Sequence, residues 1–171
     1  MLDSARYGMT DYDLTSDPFA QSASNWAHNN GIVEWGNDYL ATARYQGIFK
    51  FNKAGGIEWI ISPHGYWRDR YLKLLLNPLH ADGTPITDPD VIAGTKNCAV
   101  PLPNGHIFYF NNGYGRNFKL DFTDRKNVYT CGIEYEVDEV NRTVRQVWQY
   151  GKERGTAYFT PARSGVQYLE Q

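Results

Sequence analysis

The amino-acid sequence predicts an all-β protein, and three of its properties support that prediction. Aromatic residues make up 15% of the 171 residues, with 13 Tyr and 5 Trp, and glycine occurs 16 times. This composition favours strands and tight turns over helices. Short apolar segments follow one another at close spacing, with turn residues between them. After a long interruption the same pattern starts again, as in a protein made of repeated units.

The charge balance and the apolar pattern exclude several classes of partner. The formal net charge is −2 at pH 7, so no surface for nucleic acid or for an anionic membrane is indicated. No apolar run approaches the roughly 20 residues that a membrane span requires. The N-terminus lacks the basic and apolar regions of a signal peptide. Cys98 and Cys131 match no metal-binding spacing; a disulfide between them is open, but we expect two buried free thiols. No metal and no cofactor are expected.

The first part of the chain, residues 1–24, is polar and shows no sustained periodicity. We interpret it as an irregular lead-in that packs on a neighbour or stays mobile. Asp11 and Asp13 resemble the start of a calcium loop, but the glycine and the glutamate of such a loop are missing. No metal site is therefore predicted there.

A four-stranded unit is predicted over residues 28–61, where apolar segments alternate with turn residues. The segments read GIVEW, YLATAR, GIFKF and IEWII, and GND, YQ and NKAGG lie between them. In GIFKF the alternation predicts that Lys50 is exposed between apolar neighbours. A meander of this kind is the unit of a β-propeller blade.

A long excursion over residues 62–94 interrupts the strand pattern. Trp67, Tyr71, Leu74 and Leu75 recur at helical spacing, which predicts a short amphipathic helix closed by Pro78. The rest of the excursion reads as a loop rich in proline and aspartate. Excursions of this length on a strand scaffold usually shape a site or cover one.

A second unit is predicted over residues 95–150, and residues 157–171 repeat the start of a unit. The segments of the second unit read NCAVPL, HIFYF, YTCGIEYEV and TVRQVWQY. Two units cannot close a ring, and an open ring leaves strand edges and apolar faces uncovered. We therefore expect either the remainder of a longer propeller or self-association of copies.

A candidate anion site lies where the predicted units begin. The first two strands run out and back, so His28 and Arg44 should lie side by side, and both suit an oxyanion such as sulfate. Aligning the unit starts puts His28, Asn97 and Arg163 in equivalent places. Because the starts of the inner strands ring the mouth of a propeller channel, these residues should converge on one site.

Five motifs in order give the chain a family resemblance from about residue 25 to its C-terminus. They read NWAHNNGI, TARYQGIFKF, PHGYW with the later LLLNPLHADGTPI, FNNGYGR, and IEYEVDEVNRTVRQVWQYGKERG. On these motifs the chain resembles the bacterial arylsulfate sulfotransferases that need no nucleotide sulfate donor. The resemblance implies a six-bladed propeller with its active site in the central funnel. It also implies export to the periplasm or secretion.

The resemblance implies a ping-pong reaction in which a histidine takes a sulfuryl group from an aryl sulfate and passes it to a phenol. By the same resemblance His28 binds the sulfuryl oxygens, Asn30 is the neighbouring amide, and Arg44 is the active-site arginine. The family's nucleophilic histidine lies in a QHTA-like motif, which here has Asn97 in its place. An amide nitrogen is not nucleophilic.

Other positions complete the predicted site. Arg163 replaces a family threonine and joins the substrate-binding set, together with His64, which matches a family position that is not catalytic. His80, in the excursion, could also reach inward, whereas His106 is expected at the opposite end from Asn97.

Two functions remain open at this level. The first is sulfuryl transfer from an aryl sulfate to a phenol. The alternative is a non-catalytic propeller module that binds an anionic or aromatic ligand, which the asparagine at position 97 would suit.

Overall fold

A computed structural model of the chain describes residues 28–44, 46–65, 67–87, 96–113 and 128–169. The predictions for residues 1–24 lie outside these ranges. The described residues form nine β-strands, one short α-helix and one 3₁₀ segment, numbered here in chain order. They are β1 (Asn29–Trp35), β2 (Asp38–Ala43), β3 (Gly47–Phe51), β4 (Ile57–Ile61), α1 (Asp69–Leu72), β5 (Asn77–Leu79), β6 (Lys96–Pro101), β7 (Ile107–Asn111), β8 (Cys131–Asp138), β9 (Thr143–Tyr150) and the 3₁₀ segment Lys152–Tyr158.

The strands form two sheets, which confirms the all-β class. The first sheet has the order β1-β2-β3-β4, and the second has the order β5-β9-β8-β7-β6. All neighbours within each sheet are antiparallel except β5 and β9, which run parallel. Each meander therefore has the strand order that its alternating apolar segments predict.

The two sheets pack on one another through β6, which lies against β1 and β2. Their shared core contains large side chains from both sheets, including Trp59, Tyr109 and Tyr135, each 1% exposed or less. Tyr109 and Tyr135 stack with ring centroids 5.3 Å apart, and their hydroxyl groups are hydrogen-bonded at 3.2 Å. Aromatic content thus serves packing between the sheets, with the buried hydroxyl groups paired to each other.

The excursion departs from the predicted helix. Among the described residues of the excursion only α1 is helical, although Trp67 and Leu75 are buried and Tyr71 and Leu74 pack against them as their spacing suggested. Pro78 lies within β5 instead of ending a helix, so that prediction was wrong. The reason is tertiary: the backbone of Leu74 and Leu76 pairs with Ile60 of β4, which draws the chain into an extended conformation.

After that pairing the excursion continues along β9, where Asn77 lies opposite Thr143. Proline is tolerated in β5 because an edge strand leaves some backbone N–H groups without a partner in any case. The excursion therefore covers the outer edges of both sheets, β4 and β9.

Strand direction gives both sheets two distinct ends. The upper end is where β1 and β6 begin and where β2 and β7 finish. The lower end carries the turns β1–β2 and β3–β4 of the first sheet and β6–β7 and β8–β9 of the second. Within the described ranges no helix is long and apolar enough to cross a membrane.

Lys50 lies near the lower end, and the prediction that it is exposed was wrong. The residue is 7% exposed, and its side chain contacts Asp38, Glu58 and Glu139. Glu139 belongs to the β8–β9 turn of the second sheet. Period-two alternation within one strand does not show that a turn from another sheet covers the outward side.

Candidate functional site

His28 and Arg44 lie next to each other at the upper end of the first sheet, as the sequence predicted. The backbone N–H of Arg44 donates to the carbonyl oxygen of His28 at 3.1 Å, just beyond the last strand pair of β1 and β2. The Arg44 side chain is 4% exposed and His28 is half-buried. Asn30 follows as the extra residue of a β-bulge, between the pairs formed by Asn29 and Gly31.

The second sheet repeats this hairpin in β6 and β7. Asn97 pairs with Phe110 and Lys96 with Asn111, and a bulge follows Asn97 in the same way as one follows Asn29. Counted from the strand pairs, Asn97 takes the place of Asn29. Counted from the positive φ of His28 (44°), which recurs at Cys98 (40°), Cys98 takes the place of His28. The equivalence of His28 and Asn97 therefore stays a prediction.

The two bulges lie close together. The Sγ atom of Cys98, in the second bulge, is 3.8 Å from the carbonyl oxygen of Asn30 in the first. A Cβ atom on Gly31 would lie 3.6 Å from the Cα atom of Cys98, an ordinary van der Waals distance, so the two backbones are neighbours at this point. Cys98 is exposed and Cys131 is buried, and both are free thiols. The prediction of two free thiols is confirmed, whereas the burial predicted for Cys98 was wrong.

The start of the third predicted unit contacts the same end of the first sheet. Nη2 of Arg44 donates to the carbonyl oxygen of Pro161 at 3.2 Å, across 117 positions of sequence. Arg163, two residues further on, is exposed and has a φ of 61°, in the left-handed region that non-glycine residues rarely adopt. His28 has a φ of 44° and shares this property.

A polar contact network attaches this third segment to the second sheet. Nδ2 of Asn112 donates to the carbonyl oxygen of Thr160 at 2.9 Å and to Oγ of Ser164 at 3.2 Å. Oγ1 of Thr130 accepts the Thr160 N–H at 2.9 Å and lies 3.1 Å from the carbonyl oxygen of Asn112. The segment around Arg163 is therefore held by both sheets.

Asn111 and Asn112 are functional candidates that the sequence-based reasoning did not select. Both are fully buried, and Asn111 lies opposite Lys96 as Arg44 lies opposite His28. A signal was available in the sequence. The residues NNG follow HIFYF directly, so polar residues stand at the end of this strand as Arg44 stands at the end of YLATAR.

The other histidines lie apart from His28. Nε2 of His64 is 3.0 Å from the carbonyl oxygen of Leu76, beside the outer strand β4, three strands away from β1. His80 lies next to β9, on the outer edge of the second sheet. Nδ1 of His106 lies 2.6 Å from Oε1 of Glu134 at the lower end, as its position beyond the predicted turn indicated.

The chemistry of the upper end suits an anion. His28, Arg44 and Arg163 supply imidazole and guanidinium groups from the first sheet and the third segment, and asparagines lie on both hairpins. Guanidinium groups form paired hydrogen bonds with the oxygens of sulfate or carboxylate. Among the described residues no cluster of His, Cys, Asp and Glu could hold a metal ion.

Comparison with known proteins gives consistent matches. A family model described as Arylsulfotransferase (ASST) matches residues 1–171. Two similar proteins, both named arylsulfate sulfotransferase AssT, come from Escherichia coli O6:H1 and Lelliottia amnigena. Each is 33% identical over 156 residues, which covers 84% of this chain and 26% of the relative. The chain thus spans about a quarter of the length of these relatives.

Proposed function

The chain belongs to the arylsulfotransferase family, and from that premise we propose that its upper end binds an aryl sulfate ester. The proposed reaction moves the sulfuryl group of that ester to a phenol without a nucleotide donor. The observation that supports it best is the position of Arg44, which is buried between its own sheet and the Pro161 carbonyl and lies beside His28.

Each group has a proposed task. The guanidinium of Arg44 and the imidazole of His28 bind the sulfuryl oxygens, and they stabilise the charge that develops on them during transfer. The side-chain amide of Asn30 adds a neutral donor from the bulge. Arg163 presents a second guanidinium from the third segment. In this proposal the donor is a small aryl sulfate ester and the acceptor is a small phenol.

The same premise extends to the whole protein. We propose that the two sheets are blades of a propeller, since a repeated meander with its bulges at one end is the geometry of successive blades around a channel. Either the remainder of a longer chain or further copies would complete the ring. A periplasmic or secreted location follows from the family alone and is part of the proposal.

A second candidate function has one observation in its favour. By the motif resemblance Asn97 stands where the family has its nucleophilic histidine, and a carboxamide nitrogen does not attack sulfur because its lone pair is delocalised into the carbonyl group. A binding module that holds an anionic or aromatic ligand without transferring any group would need His28 and Arg44 but no nucleophile.

Turnover of p-nitrophenyl sulfate with phenol as acceptor separates the two functions. Release of nitrophenol above the rate without protein supports transfer. Saturable binding of the ester with no release supports the binding module. If the ester shows no saturable binding and no release of nitrophenol, both functions are rejected.

The variant Asn97→His adds a sharper comparison. If position 97 lies at the reacting centre, a histidine there should raise the rate of nitrophenol release at least about tenfold, as nucleophilic groups at reacting centres do. The variant Asn104→His, in the β6–β7 turn at the lower end, is the matched control. An unchanged rate in Asn97→His would remove this position from the reacting centre.

A further inference from the structure

We propose that Asn112 is a positioning residue that holds the Thr160–Ser164 segment over the candidate site and thereby sets the placement of Arg163 and Arg44. This inference rests on the proposed function, because it assigns the segment a role in the same anion site. Neither the family match nor the sequence motifs give Asn112 a role.

The first support is the distance along the chain that this one side chain connects. Asn112 ends the β7 region of the second sheet and is fully buried. Its Nδ2 atom reaches the backbone of Thr160 and the side chain of Ser164, which are 48 and 52 positions away. Both hydrogens of the amide group can thus be used within one segment, one on each side of Arg163.

The second support is that Asn112 itself is held. Its backbone carbonyl oxygen lies 3.1 Å from Oγ1 of Thr130, and the same oxygen atom of Thr130 accepts the Thr160 N–H. Oγ1 of Thr160 also donates to the carbonyl oxygen of Ala162 at 3.0 Å. Buried hydrogen bonds that support each other in this way resist displacement more than isolated ones.

The third support is the strained backbone that this network surrounds. Arg163 has a φ of 61°, in the left-handed region that is unfavourable for an arginine. Such a conformation persists only where neighbouring contacts determine it, and Asn112 contacts the segment on both sides of Arg163. Pro161, in the same segment, accepts the hydrogen bond from Arg44.

Replacing Asn112 by aspartate tests the role with almost no change of shape. An ionised carboxylate cannot donate to the Thr160 carbonyl oxygen, so the segment should be released at neutral and higher pH. In a buried site next to a carbonyl oxygen the neutral acid is favoured, and its O–H group can replace the lost donor. The defect should therefore be repaired as the pH falls, which a simple loss of packing would not show.

The first measurement is hydrogen exchange of the backbone amides of residues 160 and 162–164 in the chain. In Asn112→Asp at about pH 8 we expect exchange at least about tenfold faster than in the wild type. The free energy of opening the segment falls, because the hydrogen bond from residue 112 no longer has to be broken. After correction for intrinsic exchange, about pH 5 should restore wild-type protection. Tyr135→Phe, which removes a core hydroxyl contact at a distance from the segment, is the control for lowered stability. Equal protection of the segment in Asn112→Asp and wild type at both pH values would overturn the proposal.

The second measurement is the affinity for p-nitrophenyl sulfate, taken as the ratio of variant to wild type at each pH. We expect Asn112→Asp to bind about tenfold more weakly at about pH 8 and to approach the wild type at about pH 5. Tyr135→Phe should bind as the wild type does. A faster-exchanging segment with undiminished affinity would overturn the positioning role. If the wild type binds no ester, the proposed function fails, and the exchange experiment still decides whether Asn112 holds the segment.

Discussion

Arg44 and Lys50 are two buried cations of the same sheet, one at its upper end and one near its lower end. Arg44 is 4% exposed and Lys50 is 7% exposed. The contacts described for the two side chains differ. Nζ of Lys50 lies 2.7 Å from Glu139, 3.0 Å from Glu58 and 3.2 Å from Asp38. The guanidinium of Arg44 donates to a peptide carbonyl oxygen, that of Pro161.

The lower cluster has the properties of a structural link between the sheets. Burial alone would lower the pKa of Lys50, but hydrogen bonds to Glu139, Glu58 and Asp38 outweigh it and raise that pKa above its ordinary value. Burial likewise would raise the pKa of Glu139, and the hydrogen bonds from Lys50 and from Nε1 of Trp59 lower it instead. Because Glu139 comes from the second sheet, the cluster joins both sheets.

The comparison concerns a cation that links the two sheets and a cation of the proposed anion site. A carboxylate next to an ammonium group cancels most of its field, so the Lys50 cluster serves packing and orientation. A peptide carbonyl orients a guanidinium without cancelling its charge. Burial alone therefore does not separate the two cases.

The largest expected effect is on ligand binding through Arg44. The variant Arg44→Gln should weaken binding of p-nitrophenyl sulfate about 100-fold or more, as removal of a charged donor at an oxyanion site does. The affinity is measured by calorimetric titration of the chain with the ester. Lys50→Met should bind within about twofold of the wild type under conditions where it is folded. Similar losses in both variants would erase the distinction between the two cations.

A smaller effect is expected on stability through Lys50. The variant Lys50→Met leaves three carboxylates facing one another, which should lower the free energy of unfolding by about 2 kcal/mol. The value is set below that of a fully buried pair because the carboxylate side chains are 24%, 36% and 46% exposed. Urea denaturation measures it, and Lys50→Met with Glu139→Gln should recover part of the loss. No recovery in the double variant would mean that lost packing, and not charge, causes the change.

The pH dependence of stability gives a further, smaller effect. The folded pKa of Glu139 lies below the ordinary 4.5, so its contribution is present above that value and is lost as the pH falls through the folded pKa. The folded pKa of Lys50 lies above 10.5, so its contribution is complete below that value and is lost as the pH rises through the folded pKa. Urea midpoints across pH should thus fall in strong acid and in strong alkali, and Lys50→Met should show shallower changes. An acid limb equally steep in the variant would speak against the cluster as its source.

The smallest effect concerns His64. His64→Ala removes the contact with the Leu76 carbonyl oxygen, which should cost about 0.5 to 1.5 kcal/mol of stability. Because His64 lies beside β4, affinity for p-nitrophenyl sulfate should stay within about twofold of the wild type. His28→Ala, measured in the same titration, is the matched variant at the upper end and should weaken binding clearly. A strong loss of affinity in His64→Ala would move the site toward the excursion.

Much of the fold was predictable because strand patterns are local. GIVEW, YLATAR, GIFKF and IEWII are each readable from alternation and from the turn residues between them, and hairpins join neighbours in sequence. The pairing of His28 with Arg44 followed from the same rule. The family match also rests on motifs that are contiguous in sequence.

The sequence by itself determined the all-β class, the two meanders and the polar residues at their starts, since each depends on residues close together along the chain. The tertiary structure alone decided the rest. It buried Lys50 under a turn of the second sheet and drew Pro78 into an edge strand. It also brought Asn112 to Thr160 and Arg44 to Pro161, contacts between residues far apart in the chain. Such contacts depend on how two sheets pack, and no local pattern encodes that packing.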